Sequence, residues 1–173
     1  MSTTLPYVGV ALKSAVLADH LDWIIDAQRD LEIQDPTIAG FFEGDWRTHA
    51  THVRQQLWLH TGRLGIHGPF AGIDIACRDR DIQAVVQRRL VQALEYAEML
   101  GATQMVVHSP FVSFGSAHSA IQPHTLEQSI QIAQITMQPV LKRAQACGCT
   151  IVIETILDQN PSQLRAFIAA FAS

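Results

Sequence analysis

Short apolar runs with a period of two alternate along this chain with longer stretches in which apolar residues recur every three or four positions. YVGVAL (7–12), DLEIQ (30–34), RLGIHG (63–68), QMVVHS (104–109) and TIVIET (150–155) read as strands. Between the later runs, Ile82, Val86, Leu90, Ala93, Ala97 and Leu100 mark one face of a helix over 80–100. Leu126, Ile130, Ala133, Met137, Val140, Leu141 and Ala144 do the same over 125–146. Gly101 and Gly148 follow these two helices, where a residue able to enter the left-handed conformation is favoured. A shorter helix is predicted from Trp46 to Gly62, with Asp45 as its N-cap. A last helix opens near Pro161, a residue suited to a first helical turn.

Strands separated by helices of this length imply βα units and a parallel sheet. Five units are readable, and no shift in composition divides the chain, so residues 1–173 are expected to form a single α/β domain. A flat doubly wound sheet and a (β/α) barrel both fit the alternation. The first strand is followed by KSAVLADH, which lacks the glycine-rich turn of a dinucleotide or phosphate loop.

Composition narrows the function classes. Of 173 residues, 48% are hydrophobic and 16% charged, enough apolar material for one sizeable core. The net charge is −4 and the basic residues are scattered, which disfavours a nucleic-acid partner. No apolar stretch approaches the roughly 20 residues of a membrane span, and MSTTLPYVGV lacks the layout of a signal peptide. The expected location is the cytoplasm. Cys147 and Cys149 are too close for an ordinary disulfide and lack zinc-site spacing; with Cys77 they read as reduced structural thiols.

The chemistry-bearing signal is a repeated phrase. GIHGPF and VVHSPF each end an apolar run in His, a small residue, Pro and Phe, and IVIET ends a third run in Glu. Alternation along a strand gives His67 the face of Gly65, His108 that of Val106 and Glu154 that of Val152. Leu64, Ile66, Met105, Val107, Ile151 and Ile153 then point beneath the helices. In a barrel the first set faces the interior at the C-terminal rim, where catalytic residues lie. Two imidazoles and a carboxylate at that height suit a divalent cation. Taken singly, a strand-end His is ordinarily a polar residue near a loop, and Pro and Phe can simply end the strand and pack the rim. The matched trio carries the hypothesis.

Other polar residues weigh less. Glu32 closes the second strand and suits a pocket position or a rim salt bridge equally well. Lys13 reads as a solvated lysine, and His118 and His124 fall in the loop after the fourth strand. His20, His49, His52 and His60 lie in helical patterns and read as structural or surface positions. Trp23, Trp46 and Trp58 read as core or rim packing along helices.

The order of elements, with GIHGPF, VVHSPF and IVIET at three successive strand ends, resembles the xylose isomerase-like TIM barrels from Tyr7 onward. That superfamily includes sugar phosphate isomerases and epimerases and the endonuclease IV type of DNA-repair enzyme. The resemblance implies a TIM-barrel type fold of which this chain holds the first five βα units of eight. It implies metal ligands at His67, His108 and Glu154, as in endonuclease IV-like members. In epimerase-like members the fifth-strand Glu also moves a proton, making Glu154 ligand and base, while the two histidines line the substrate site. Thr155 departs from the Asn that many members carry after that Glu. Later family strands supply an Asp-x-Gly-His motif, another His and a final Glu; here the sequence ends in AAFAS, where a sixth strand would begin.

The implied activity is divalent-metal-dependent isomerisation or epimerisation of a small sugar or hydroxy-carbonyl compound through an enediolate. Zn or Mn is favoured as the cofactor, with Mg or Co as alternatives. One rival is an endonuclease IV-like phosphodiesterase; the other is a non-catalytic barrel fragment or assembly module. Five units cannot close an eight-stranded barrel, so exposed sheet edges and a homo-oligomer are also expected.

Overall fold

The computed structural model describes residues 8–111, 125–155 and 161–171. Five strands, β1 (Val10–Leu12), β2 (Leu31–Ile33), β3 (Leu64–His67), β4 (Gln104–His108) and β5 (Thr150–Glu154), form one parallel sheet. The helices are α1 (Leu17–Asp26), α2 (Trp46–Gln56), α3 (Arg80–Leu100), α4 (Leu126–Ala146) and α5 (Pro161–Ala169).

Each strand pairs with the next one in sequence. A doubly wound sheet would reverse its strand order at a switch point. An unreversed order is that of a barrel wall, so the fold is the first five βα units of a TIM-barrel type. Helices α2, α3 and α4 pack side by side in sequence order. On the helix side of the sheet, Leu31, Ile33, Leu64, Ile66, Met105 and Val107 are all buried. On the opposite face, Glu32, Gly65, Val106 and His108 are only partly covered. Strand parity thus separates a sealed core from an open inner face.

Local chemistry places the helices. The Asp79 carboxylate accepts from the amides of Asp81 and Ile82, and Asp45 accepts from that of Thr48. Each satisfies donors that a helix start leaves unpaired. Thr125 and Gln128 form a reciprocal capping box at the start of α4. Gly101 ends α3 at φ 74°, in the left-handed region.

The end of α2 corrects the expectation of a helix reaching Gly62. The helix stops at Gln56, and His60 donates its amide to the Leu57 carbonyl in the turn that follows. Gly62 serves close approach: a Cβ there would lie 2.3 Å from the Gln28 carbonyl oxygen. Trp58 lies past that helix end and is 73% exposed, so it packs neither core nor rim. Trp46 is buried, whereas Trp23 is 44% exposed, with the Arg29 guanidinium over its ring at 4.0 Å.

A polar clasp ties the ends of β1 and β2 to the helices. The Ser14 amide and hydroxyl both donate to Asp35, at 2.7 and 2.8 Å. His49 Nε2 lies 2.9 Å from the Ser14 hydroxyl, and its Nδ1 lies 3.1 Å from the Tyr96 hydroxyl. Burial, with Asp35 adding to it, pushes the Tyr96 phenol far up, so it stays a neutral partner. His60 is buried with Nε2 2.7 Å from the Arg29 carbonyl oxygen, whereas His20 and His52 are exposed. The cysteines are free thiols, and burial pushes that of Cys149 up to about 11. No described helix is long and apolar enough to cross a membrane.

Candidate metal and active site

His67, His108 and Glu154 close three adjacent strands. The ladder sets His108 directly beside Glu154, and His67 beside Val106, two residues below His108 on the same face. Glu154 Oε2 lies 3.2 Å from His67 Nε2 and 3.3 Å from His108 Nε2. All three candidate ligand atoms fall within 4.8 Å of one another. Two donors bound tetrahedrally at about 2.0–2.1 Å stand roughly 3.4 Å apart. Both Glu154 contacts, at 3.2 and 3.3 Å, are close to that length.

Hydrogen bonding assigns the roles of the ring nitrogens. His67 Nδ1 lies 2.8 Å from the Gly68 carbonyl oxygen. A carbonyl oxygen only accepts, so Nδ1 carries the hydrogen. In the neutral ring, Nε2 then turns a lone pair toward Glu154, and two facing electron pairs require a proton or a cation between them. Burial pushes the His108 imidazole down, the neighbouring His67 adds to this, and Glu154 pulls the other way. A depressed His108 keeps its ligating, neutral form to lower pH. The donor set therefore fits a divalent cation, with a backbone carbonyl orienting one ligand as outer partners do in metal sites.

Exposure differs across the group. The side chains of His67 and His108 are 7% and 14% exposed, that of Glu154 45%. The imidazoles form the more buried back wall and the carboxylate faces the open side. A groove of about 250 Å³ crosses the inner face lower down the strands, between Glu32, Gly65, Gln104 and Val106. None of the three candidate ligands lines it.

The two repeats do different work. Gly68 donates its amide to the Val106 carbonyl at 2.8 Å, and a Cβ at Gly68 would lie 2.9 Å from that oxygen. Phe70 stacks on His108, with ring centroids 4.2 Å apart and planes at 22°, and its centroid lies 5.1 Å from that of His67. Phe111, its counterpart, instead packs edge-on against Phe167 of α5. Reading the sequence missed Gly68 and Phe70 as parts of the site; the only signal was the matched spacing itself.

The remaining candidates stand apart from the group. Glu32 accepts from the Gln34 side-chain amide at 3.2 Å and borders the lower groove. Lys13 and Thr155 are exposed. His118 and His124 lie outside the described residues.

Comparison with known proteins agrees with this architecture. Residues 32–173 match the family model described as xylose isomerase-like TIM barrel. No curated protein matches the sequence significantly. Among solved structures, the TTHB071 protein of Thermus thermophilus, soaked with ZnCl2, is similar at TM-score 0.71 and 25% identity. That match covers 97% of this chain and 64% of that one. A D-tagatose 3-epimerase-like protein gives TM-score 0.69 at 14% identity, covering 93% and 60%. D-psicose 3-epimerase from Clostridium cellulolyticum H10, solved with D-tagatose, gives 0.69 at 13% identity, covering 95% and 57%. The chain thus spans about 57–64% of the length of these structures. With the family model matching most of its residues, the chain belongs to the xylose isomerase-like TIM barrels.

Proposed function

We propose that this chain carries part of the active site of a divalent-metal-dependent sugar isomerase or epimerase, with His67, His108 and Glu154 as metal ligands and Glu154 also as the base. The observation that carries this reading is that three lone-pair donors, from three strand ends, lie within 4.8 Å of one another at the rim where TIM-barrel chemistry takes place. The epimerases among the structures of similar fold support a sugar or a related hydroxy-carbonyl compound as substrate. Zn or Mn suits an imidazole and carboxylate donor set, with Mg or Co as alternatives.

A cation held by His67, His108 and Glu154 would supply Lewis-acid polarisation of the substrate carbonyl and would offset the negative charge that develops on its oxygens. The residues of the chain do the rest. Glu154 Oε2 is the oxygen turned to both imidazoles, so proton abstraction α to the carbonyl falls to Oε1. His67 is held in one tautomer by the Gly68 carbonyl, and both rings exclude water behind the substrate. Glu154 thereby removes the proton, and its return on the other face calls for a general acid, such as a second, protonated carboxyl group.

Solvent exchange separates these two halves. With Mn or Zn supplied, the chain should catalyse deuterium exchange at C3 of D-tagatose or D-fructose in D2O, whether or not net epimerisation follows. Glu154→Gln should abolish the exchange. Metal-loaded protein that exchanges no proton from either sugar, or a Glu154→Gln variant that exchanges as the parent does, would overturn the assignment.

A further inference from the structure

We infer that Phe70 is a positioning residue that fixes the plane of the His108 imidazole toward Glu154. The inference goes beyond the proposed function, and its metal readout rests on that reading. An imidazole at the end of a strand can still rotate about its last side-chain bond, a soft, roughly two-fold torsion. His108 must present Nε2, which lies 3.3 Å from Glu154, and a small rotation would carry that lone pair away from the shared point. The Phe70 ring lies flat on His108 at 4.2 Å and 22° and stands 5.1 Å from His67 at 59°.

The backbone that carries Phe70 is itself fixed. Its amide donates to the Thr37 carbonyl at 3.0 Å, and the preceding Gly68 amide bonds the Val106 carbonyl at 2.8 Å. Pro69 between them is buried. One short turn after β3 therefore orients both imidazoles: Gly68 O sets His67, and the Phe70 ring sets His108. This gives the repeated phrase an asymmetric logic. The Phe of the first copy serves the His of the second, and the Phe of the second, Phe111, is spent on α5.

The test uses the metal-free protein and Co(II) as probe. In NMR spectra of wild type, the His108 ring protons, assigned by their loss in His108→Gln, should lie upfield of those of the exposed His20 and His52. Phe70→Leu should remove that shift, and Phe70→Tyr should keep it. Co(II) affinity should fall about tenfold in Phe70→Leu, the scale of outer partners in metal sites, and stay within about twofold in Phe70→Tyr. Circular dichroism checks that each variant is folded. Absence of the upfield shift in wild type overturns the inference, and so does unchanged Co(II) affinity in folded Phe70→Leu or an equal loss in Phe70→Tyr. Failure of wild type to take up Co(II) overturns the metal reading instead, and the ring shifts then decide the positioning role.

Discussion

His67 Nε2 and Glu154 Oε2 lie 3.2 Å apart although 87 residues separate them in the chain. The ring hydrogen of His67 sits on the other nitrogen, committed to Gly68, so the pair closes through a shared proton or a cation. The two imidazoles should therefore behave as ligands of one ion. His67→Ala and His108→Ala should each weaken Zn binding by more than about 100-fold, since losing a direct ligand exceeds the cost of losing an outer partner. Competition titration with a chromogenic chelator checks this; two independent modest losses would mean that the rings do not share an ion.

The metal-free protein should lose stability on acidification through His108. Burial and His67 hold this imidazole below its ordinary 6.5, so the folded state binds the proton more weakly than the unfolded chain does. The stabilisation is complete above about pH 6.5 and declines as pH falls through the lower folded-state value. Urea denaturation at steps from about pH 7.5 to about pH 5 measures the slope. His108→Gln should flatten it, and a steeper acid loss in that variant would contradict the assignment.

Gly68→Ala should damage fold and site together. The new Cβ would lie 2.9 Å from the Val106 carbonyl oxygen and 3.3 Å from Met105 Sδ. Overpacking of this kind costs about 1–3 kcal/mol. The same shift would swing the carbonyl that holds His67. Nitrogen-15 NMR of the imidazoles should show His67 leaving the Nδ1–H tautomer, which a purely steric loss of stability would not produce.

Tyr96→Phe tests the clasp between β1, β2 and the helices. It removes the hydroxyl at 3.1 Å from His49 Nδ1 while keeping the buried ring. Because His49 is partly open to water, the loss should be near the lower end for such bonds, about 1 kcal/mol. Thermal denaturation should show it, with metal affinity unchanged.

The parts legible in the sequence were those that depend on local periodicity. Parity along each strand sufficed to put His67, His108 and Glu154 on one face, and the helix patterns of 80–100 and 125–146 reappear as α3 and α4. What was not legible depends on distant partners. Gly62 resembles a helix C-cap, yet its requirement comes from Gln28, across the fold. Phe70 and Phe111 occupy identical places in the repeat, and only the third dimension gives one an imidazole and the other a phenyl ring as neighbour. His49 reads as an ordinary helix residue because Ser14, Asp35 and Tyr96 reach it from three other segments.

The most direct test of the shared site is a metal count. After equilibrium dialysis against Zn, elemental analysis should find close to one Zn per chain, and Glu154→Gln should retain far less. A folded wild-type chain that holds no Zn, or a Glu154→Gln variant that holds as much as wild type, would contradict the claim that these three strand ends build one metal site.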